Sequence, residues 1–487
     1  MAPAPPASTG SIQLRAAAPS LERRLGVFSA TAIIVGSMIG SGIFIAPSIM
    51  AGYIASPGLW LALWIAGGVL TLLGALSYAE LAAMMPRAGG QYVFLREAFG
   101  PRVAFLYGWS LFLVIQTGFN AAVAIAFAKF LGGVGLRAGE GDAVFTLAPL
   151  APLAALGPFT VSRAQAVATG VIVLLTWINA RGLREGALVQ NVFTVLKVGA
   201  IVLLAAAALV HGQGSWSHFT SPRGAPWLAE KGIALGLFGA AGVAMSKALF
   251  AYDAWNTVTF TAEEVRSPER NLPRALVAGT LVTMASYAAI CAAYLYVLPL
   301  DRMAAVTENR VAADVAGAVF GPVGVTLVSL AILGSTFGCA NGLILSGARV
   351  LFAMARDGVF FSSATRVHRE RQTPTGALVL QGAWSVVLAL SGTYDRLLTY
   401  VTFSSLAFNA LTVAAVMVLR RTRPDAPRPY RAWGYPVTAA LYLAGALFFL
   451  VYIFAGDPRD ACAGIGIVAL GWPAYALFTR SAAAAAP

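Results

Sequence analysis

Hydrophobic positions in this chain come in long blocks, not in stripes. Near residues 27–54, 57–84, 101–132, 163–180, 188–210, 232–260, 273–298, 320–356, 376–392, 396–419, 436–455 and 460–479 the sequence stays apolar between polar, arginine-bearing connections. Each block is long enough to cross a hydrocarbon layer of ~30 Å. The pattern predicts an all-α membrane protein of twelve transmembrane helices, with both termini on one side. Blocks 101–132 and 320–356 exceed a single crossing and predict tilted helices. The connection from Gly133 to Ser162, rich in Gly and Pro, reads as the longest structureless one.

Two blocks are interrupted. In the first, Gly36-Ser37-Met38-Ile39-Gly40-Ser41-Gly42-Ile43-Phe44 concentrates glycine and serine, and each glycine costs about 1 kcal/mol relative to alanine inside a helix. The helix is expected to break there. In hydrocarbon a break survives only where its freed N–H and C=O groups line a cavity or meet a ligand. Restarting at Ile43 to Phe44 would aim the amides of Ser41, Gly42 and Ile43 at one place, where the helix dipole adds positive potential. That is a seat for a carboxylate. Gly36 and Gly40 also satisfy Gly-x-x-x-Gly, so close helix packing is the competing reading. In the sixth block, Phe250-Ala251-Tyr252-Asp253-Ala254-Trp255-Asn256 sets an acid, an amide and aromatic rings in mid-membrane. Breaks in segments one and six are the arrangement expected of two five-helix inverted repeats. The repeats would cover about 27–210 and 232–419, followed by helices eleven and twelve at about 436–479, within one membrane domain at 25–480 between a disordered tail at 1–24 and a short tail at 481–487.

Composition agrees with a membrane solvent: of 487 residues, 59% are hydrophobic and 11% charged, with a mean hydropathy of +0.76. The net charge of +13 would suggest nucleic acid in a soluble protein. Here it resolves by side, because 22 of the Lys and Arg fall in the tails and the even-to-odd loops that share a side with the termini and 8 on the other side. That asymmetry predicts a cell (inner) membrane protein with both termini cytoplasmic, and no nucleic-acid partner. Loop Arg420 to Tyr435, with five arginines and three prolines, reads as a cytoplasmic connection facing anionic lipid. No cleavable signal is visible, so the first helix is expected to act as an uncleaved anchor. Cys291, Cys339 and Cys462 lie in apolar segments and offer neither a disulfide framework nor a metal site. His211, His218 and His368 are scattered over loops, so no metal, cofactor or enzymatic centre is expected. No filter-like loop or ring of acids suggests a channel.

Gly40-Ser41-Gly42-Ile43-Phe44 and Pro86-Arg87-Ala88-Gly89-Gly90-Gln91-Tyr92 resemble the amino acid, polyamine and organocation transporter superfamily. Leu249 to Asn256 followed by Glu263-Glu264-Val265-Arg266-Ser267-Pro268-Glu269-Arg270-Asn271-Leu272-Pro273, with Phe337-Gly338-Cys339-Ala340-Asn341-Gly342, Ser346 and Arg349, is similar to the L-type (light-chain) amino acid transporters, here of prokaryotic type. The resemblance runs from about Leu25 to Ala455. It implies a LeuT-type fold and sodium-independent movement of amino acids, usually exchange. Proton-coupled uptake of amino acids or polyamines, and an amino acid sensor built on a transporter fold, are the alternatives.

Carried onto this chain, the resemblance implies that amides of Ser41, Gly42 and Ile43 hold the substrate carboxylate, and that carbonyls of Ile39, Phe250, Ala251 and Asp253 accept from its ammonium group. Phe250 matches an aromatic gate, Asn256 a polar position beside the pocket, and Tyr287 a seventh-helix tyrosine. Asp253 is either a structural cap at the break or a recogniser of cationic side chains. Lys197, in mid-helix, costs at least ~2.5 kcal/mol unless partnered. In the family such a lysine stands where sodium-coupled relatives hold a cation. It would bridge the first break near Gly36 or Ser37 to helix eight, with Asn341 or Ser346 as partners there; snorkelling to an interface is the competing reading. Lys247, three residues before Phe250 where a small or apolar residue is expected, either lines the outer vestibule or reaches for a carboxylate that the sequence does not identify. Animal members attach a heavy chain through a cysteine between helices three and four. No cysteine stands there in this chain, so no disulfide-linked heavy chain is expected.

Overall fold

The computed structural model of the chain describes residues 23–136, 138–139, 141–147, 159–210, 214–220, 228–307, 310–368, 373–391, 394–456 and 458–484. Its helices, in chain order, are α1 (Val27–Met38), α2 (Gly42–Ala51), α3 (Pro57–Met84), α4 (Gln91–Phe99), α5 (Pro101–Ser110), α6 (Gln116–Leu131), α7 (Arg163–Arg181), α8 (Leu183–Val210) and α9 (Glu230–Ile233). They continue with α10 (Gly236–Tyr252), α11 (Pro268–Val297), α12 (Leu300–Ala304), α13 (Val311–Arg356), α14 (Thr375–Ser391), α15 (Tyr394–Thr422), α16 (Val437–Gly456) and α17 (Pro458–Ala484). Among the described residues, ten spans are long and apolar enough to cross a membrane. The ninth and sixth predicted blocks fall short of that length, as the 17-residue α14 and as α10, which stops at Tyr252. The chain is a multi-pass membrane protein whose spans are helical.

Three expectations are corrected. The connection from 133 to 162 is not wholly structureless: Ala143–Leu147 (β1) pairs antiparallel with Phe159–Ser162 (β2), where alternating β-branched and aromatic residues suit a two-stranded ribbon. Block eight starts earlier than residue 320, because the apolar stretch from Val311 is already helical and Gly321, at φ 67°, bends it before Pro322. The expected tail at 481–487 begins as a continuation of α17 to Ala484. The expected amino-terminal tail lies, up to residue 22, outside the described residues.

Packing follows from small residues. Gly74 lies so close to Tyr442 and Trp255 that an added Cβ would stand 2.7 and 3.1 Å from their rings, which lets α3 nest against α10 and α16. Helix three is continuous from α5 to α6 through one stretch of π-helix, Leu111–Ile115, after which Gln116 donates to the Leu343 carbonyl of α13 at 2.8 Å.

At the arginine-rich end of the bundle, carboxylates buried under helix ends hold the connections together. Glu80, 1% exposed near the end of α3, accepts from Arg420 Nε at 2.9 Å and Nη2 at 2.6 Å, and from the Ala432 amide at 2.7 Å. Arg428 Nε lies 3.3 Å from Glu80 Oε1, and the Arg428 guanidinium also donates to the carbonyls of Leu419, Arg423, Pro424 and Ala426. Glu264 plays the same part beneath α1. Its carboxylate meets Arg349 of α13, both side chains fully buried, with Nε to Oε1 at 2.9 Å. Its carbonyl accepts from the Arg24 and Leu25 amides at 2.9 Å each, and Arg266 N–H donates to the Leu25 carbonyl at 2.8 Å.

Removing one partner of a buried pair costs about 3–5 kcal/mol because the other charge is left without compensation. Glu80→Gln is expected toward the low end of that range, since Arg420 keeps 23% exposure. Thermal unfolding of the purified variant in detergent should begin well below that of the parent and of an Arg421→Gln control. Equal unfolding temperatures would contradict the anchoring role.

Candidate functional site

The first break is three residues wide. Helix α1 ends at Met38, Ile39 turns away at ψ 83°, and α2 restarts at Gly42 behind Ser41. Ending a helix frees its last carbonyls, and here four consecutive ones, 36 to 39, are each taken by a side chain from another helix. Lys197 Nζ of α8 donates to Gly36 O and to Ile39 O, both at 2.8 Å. Cys339 Sγ of α13 donates to Ser37 O at 3.0 Å. Tyr287 of α11 donates to Met38 O at 2.8 Å. Ser335 Oγ of α13 adds a second bond to Ile39 O at 3.1 Å. The third proton of Lys197 goes to Ser335 O at 3.0 Å.

The second break lies against the first. Helix α10 ends at Tyr252, Asp253 is extended, and Ala254 turns back at φ 68° before a 3-10 stretch over Thr257–Glu264. A left-handed alanine is strained, and the turn is held locally: the Ala254 amide donates to Asp253 Oδ1 at 2.7 Å, and Thr257 N–H and Oγ return to Ala254 O at 3.2 and 2.8 Å. Asp253 N–H donates to Phe250 O at 3.2 Å. The Ala251 carbonyl lies 2.9 Å from the same Tyr287 hydroxyl and shares its single proton with the Met38 carbonyl, so one phenol lies between the carbonyl ends of α1 and α10. Gly42 permits this contact, because a Cβ there would fall 2.7 Å from Ala251 Cα.

The result is an electrostatic pairing. Residues 41 to 43 open α2, so their amides and the positive end of its dipole face the break. The carbonyl ends of α1 and α10 bring negative potential to the same place. Phe250 stacks on Phe119 of α6, ring centres 4.8 Å apart. Beyond that pair a cavity is lined by Tyr107, Gln116, Phe119, Asp253, Asn256 and Leu343. A second, on the other side of Asp253, is lined by Thr71, Tyr252, Thr402, Asn409 and Tyr442. Among the described residues no cluster of His, Cys, Asp and Glu could hold a metal.

Several sequence expectations change in detail. Lys197 reaches Gly36 as expected, but its partner on helix eight is Ser335 and neither candidate. Asn341 accepts from Asn179 of α7 at 2.9 Å, and Ser346 donates to Gly342 O in its own helix at 2.8 Å. The carbonyl of Ile39 already holds two donors, which fills its lone pairs and removes it as an ammonium acceptor. The Ala251 carbonyl shares its capacity with Tyr287. Asn256 turns to Gln91 Oε1 at 2.7 Å and Asn409 Oδ1 at 3.2 Å, joining a buried chain that Tyr78 and Thr412 complete. Lys247 is buried on α10, at 6% exposure. Ser335 and Cys339 were missed, although their spacing of four on α13 puts both on one helix face.

The sequence matches a family profile described as amino acid permease over residues 25–469. It is 29% identical over 473 residues to the mouse (Mus musculus) b(0,+)-type amino acid transporter 1, covering 92% of this chain and 91% of the relative. The human (Homo sapiens) protein of that name is 30% identical over 433 residues, covering 89% and 82%. The rat (Rattus norvegicus) large neutral amino acids transporter small subunit 2 is 30% identical over 462 residues, covering 94% and 81%.

Tyr287→Phe keeps the ring and removes the donor shared by Met38 and Ala251. A buried carbonyl left without a donor costs about 1–3 kcal/mol, so the two breaks should loosen while the bundle stays folded. Hydrogen–deuterium exchange followed by mass spectrometry should show peptides over 36–44 and 250–256 exchanging at least ~tenfold faster. Unchanged protection in both would contradict the bridging role.

Proposed function

Because the chain belongs to the amino acid permease family and is an amino acid transporter, with a LeuT-type fold, we propose that it is a sodium-independent exchanger of L-amino acids working by alternating access. The amides of Ser41, Gly42 and Ile43 would take the substrate carboxylate. The carbonyls of Phe250 and Asp253 would take its ammonium group, with Phe250 closing over it and the side chain running toward Asp253. The two halves at 27–210 and 232–419 would move against each other about this site. The arginine-rich end would face the cytoplasm of a cell membrane, as the sign of the loops favours. With no cysteine in the 133–162 connection, the chain would work without a disulfide-linked partner.

The observation that carries this reading is the coordination of Lys197. Its three ammonium protons each meet a different carbonyl, on Gly36, Ile39 and Ser335. A neutral amine has one proton fewer and would leave a buried carbonyl bare, at several kcal/mol in hydrocarbon. The group is therefore held charged in this conformation, a fixed cation tying the first break to helix eight. A site so filled has no need of sodium. Proton-coupled uptake is the second reading, favoured by Asp253, a buried carboxyl with a cavity on either side.

In liposomes holding the purified protein, uptake of a radiolabelled L-amino acid should require unlabelled amino acid inside and should not change when potassium replaces sodium. A proton gradient that drives accumulation into empty vesicles would overturn exchange in favour of proton coupling. Lys197→Ala should slow turnover at least ~tenfold while changing substrate Kd by less than ~threefold. Parental exchange rates in that variant would refute the part given to Lys197.

A further inference from the structure

Outside the transport path, the strongest unassigned feature is the foot of α16. The connection from Arg423 to Pro436 is rigidly built. Glu80 and the four carbonyls gathered by Arg428 hold it from beneath, as described above. Arg420 lies over the Tyr435 ring, 3.7 Å from its centre. The Trp433 carbonyl accepts from Thr438 Oγ at 3.0 Å, and Gly434, at φ 70°, turns the chain into α16.

Within this frame Ala432 is turned inward, 6% exposed, with its amide on Glu80. The residues on either side of it in the chain, Arg431 and Trp433, are both exposed, the indole at 76% where the turn into α16 begins. One and two turns further on, Val437 and Leu441 are exposed on the surface of a candidate membrane span, at 61% and 56%. A cation, an indole and an apolar stripe thus follow one another from the polar end toward the hydrocarbon. Tryptophan at such a level matches the membrane interface.

The local charge is unbalanced. Glu80 is shared by Arg420 and Arg428, and Arg423 pairs with Glu97 at 2.8 Å. Among the described residues, neither Arg421 nor Arg431 has a carboxylate partner.

From this we propose that Arg431, Trp433 and the Val437 and Leu441 face form a binding site for one anionic phospholipid. The Arg431 guanidinium would donate to the phosphodiester, the indole would lie at the glycerol and ester level, and an acyl chain would run along Val437 and Leu441. The surplus positive charge selects an anionic headgroup over a zwitterionic one.

The test is native mass spectrometry of the full purified chain in detergent, titrated with phosphatidylglycerol or phosphatidylcholine. The parent should retain phosphatidylglycerol at least ~fivefold better, which corresponds to about 1 kcal/mol for one arginine near the surface. Arg431→Gln with Trp433→Ala should erase that preference. Arg431→Lys, which keeps the charge, should retain most of it, and Arg366→Gln, an exposed arginine elsewhere, should leave it unchanged. Parent and Arg431→Lys proteins must also show the same unfolding temperature, so that the comparison reads binding. A parent with no preference, a double variant that keeps it, or displacement of the lipid by millimolar glycerol phosphate would each overturn the proposal, the last by showing a site for free phosphate.

Discussion

A carbonyl freed inside a membrane must find a donor, and the two interrupted helices of this protein are built around that requirement. Each unpaired backbone group costs several kcal/mol in hydrocarbon, so a glycine-rich run weakens a helix without being enough to open it. Opening is made possible by donors on other helices: Lys197 from α8, Tyr287 from α11, Ser335 and Cys339 from α13. The four carbonyls from Gly36 to Ile39 draw these helices around the end of α1. The break is therefore a property of the packed bundle, and local sequence supplies only its position.

In the proposed function the same bonds would make the site a moving part. Helix α1 is held at its end by Lys197 and its neighbours, and at its start by the backbone bonds between Leu25 and residues 264 to 266. The buried pair of Glu264 with Arg349 fixes the latter contact to α13. Such a pair adds little net stability over well-packed apolar residues, yet is costly to break from one side. It suits a joint that must be either fully made or fully parted. A swing of α1 away from α13 would expose Lys197, Cys339 and the freed carbonyls together, and substrate or water would have to replace the lost donors.

Much of this could be read from the chain. The run from Gly36 to Phe44 marked the first break because small, flexible residues have a strong local signature, and Asp253 with Asn256 marked the second because polar groups in an apolar block are conspicuous. Lys197 stood out for the same reason. Its helix-eight partner did not, because the acceptor is the backbone of Ser335, and backbone carbonyls carry no residue identity. Asn341 and Ser346 had the better side chains but serve α7 and their own helix. Asn256 was placed beside the pocket by likeness and does line the cavity, but the partners of its amide, Gln91 and Asn409, residues 165 and 153 positions away in the chain, were not legible. Contacts of that range depend on tertiary packing, as does the β1 and β2 ribbon in a stretch whose composition suggested only a loop.

In the proposed function, what the two helix ends would grip is the pair of charges common to α-amino acids, and not any one side chain. Isothermal titration of the purified protein with an L-amino acid that it binds, with the methyl ester of that amino acid and with its N-acetyl derivative, examines this directly. Each derivative removes one charge and leaves the side chain intact. Loss of measurable binding for both is the predicted result; binding of either within a few fold of the parent amino acid would contradict a site formed by the opposed ends of α2 and α10.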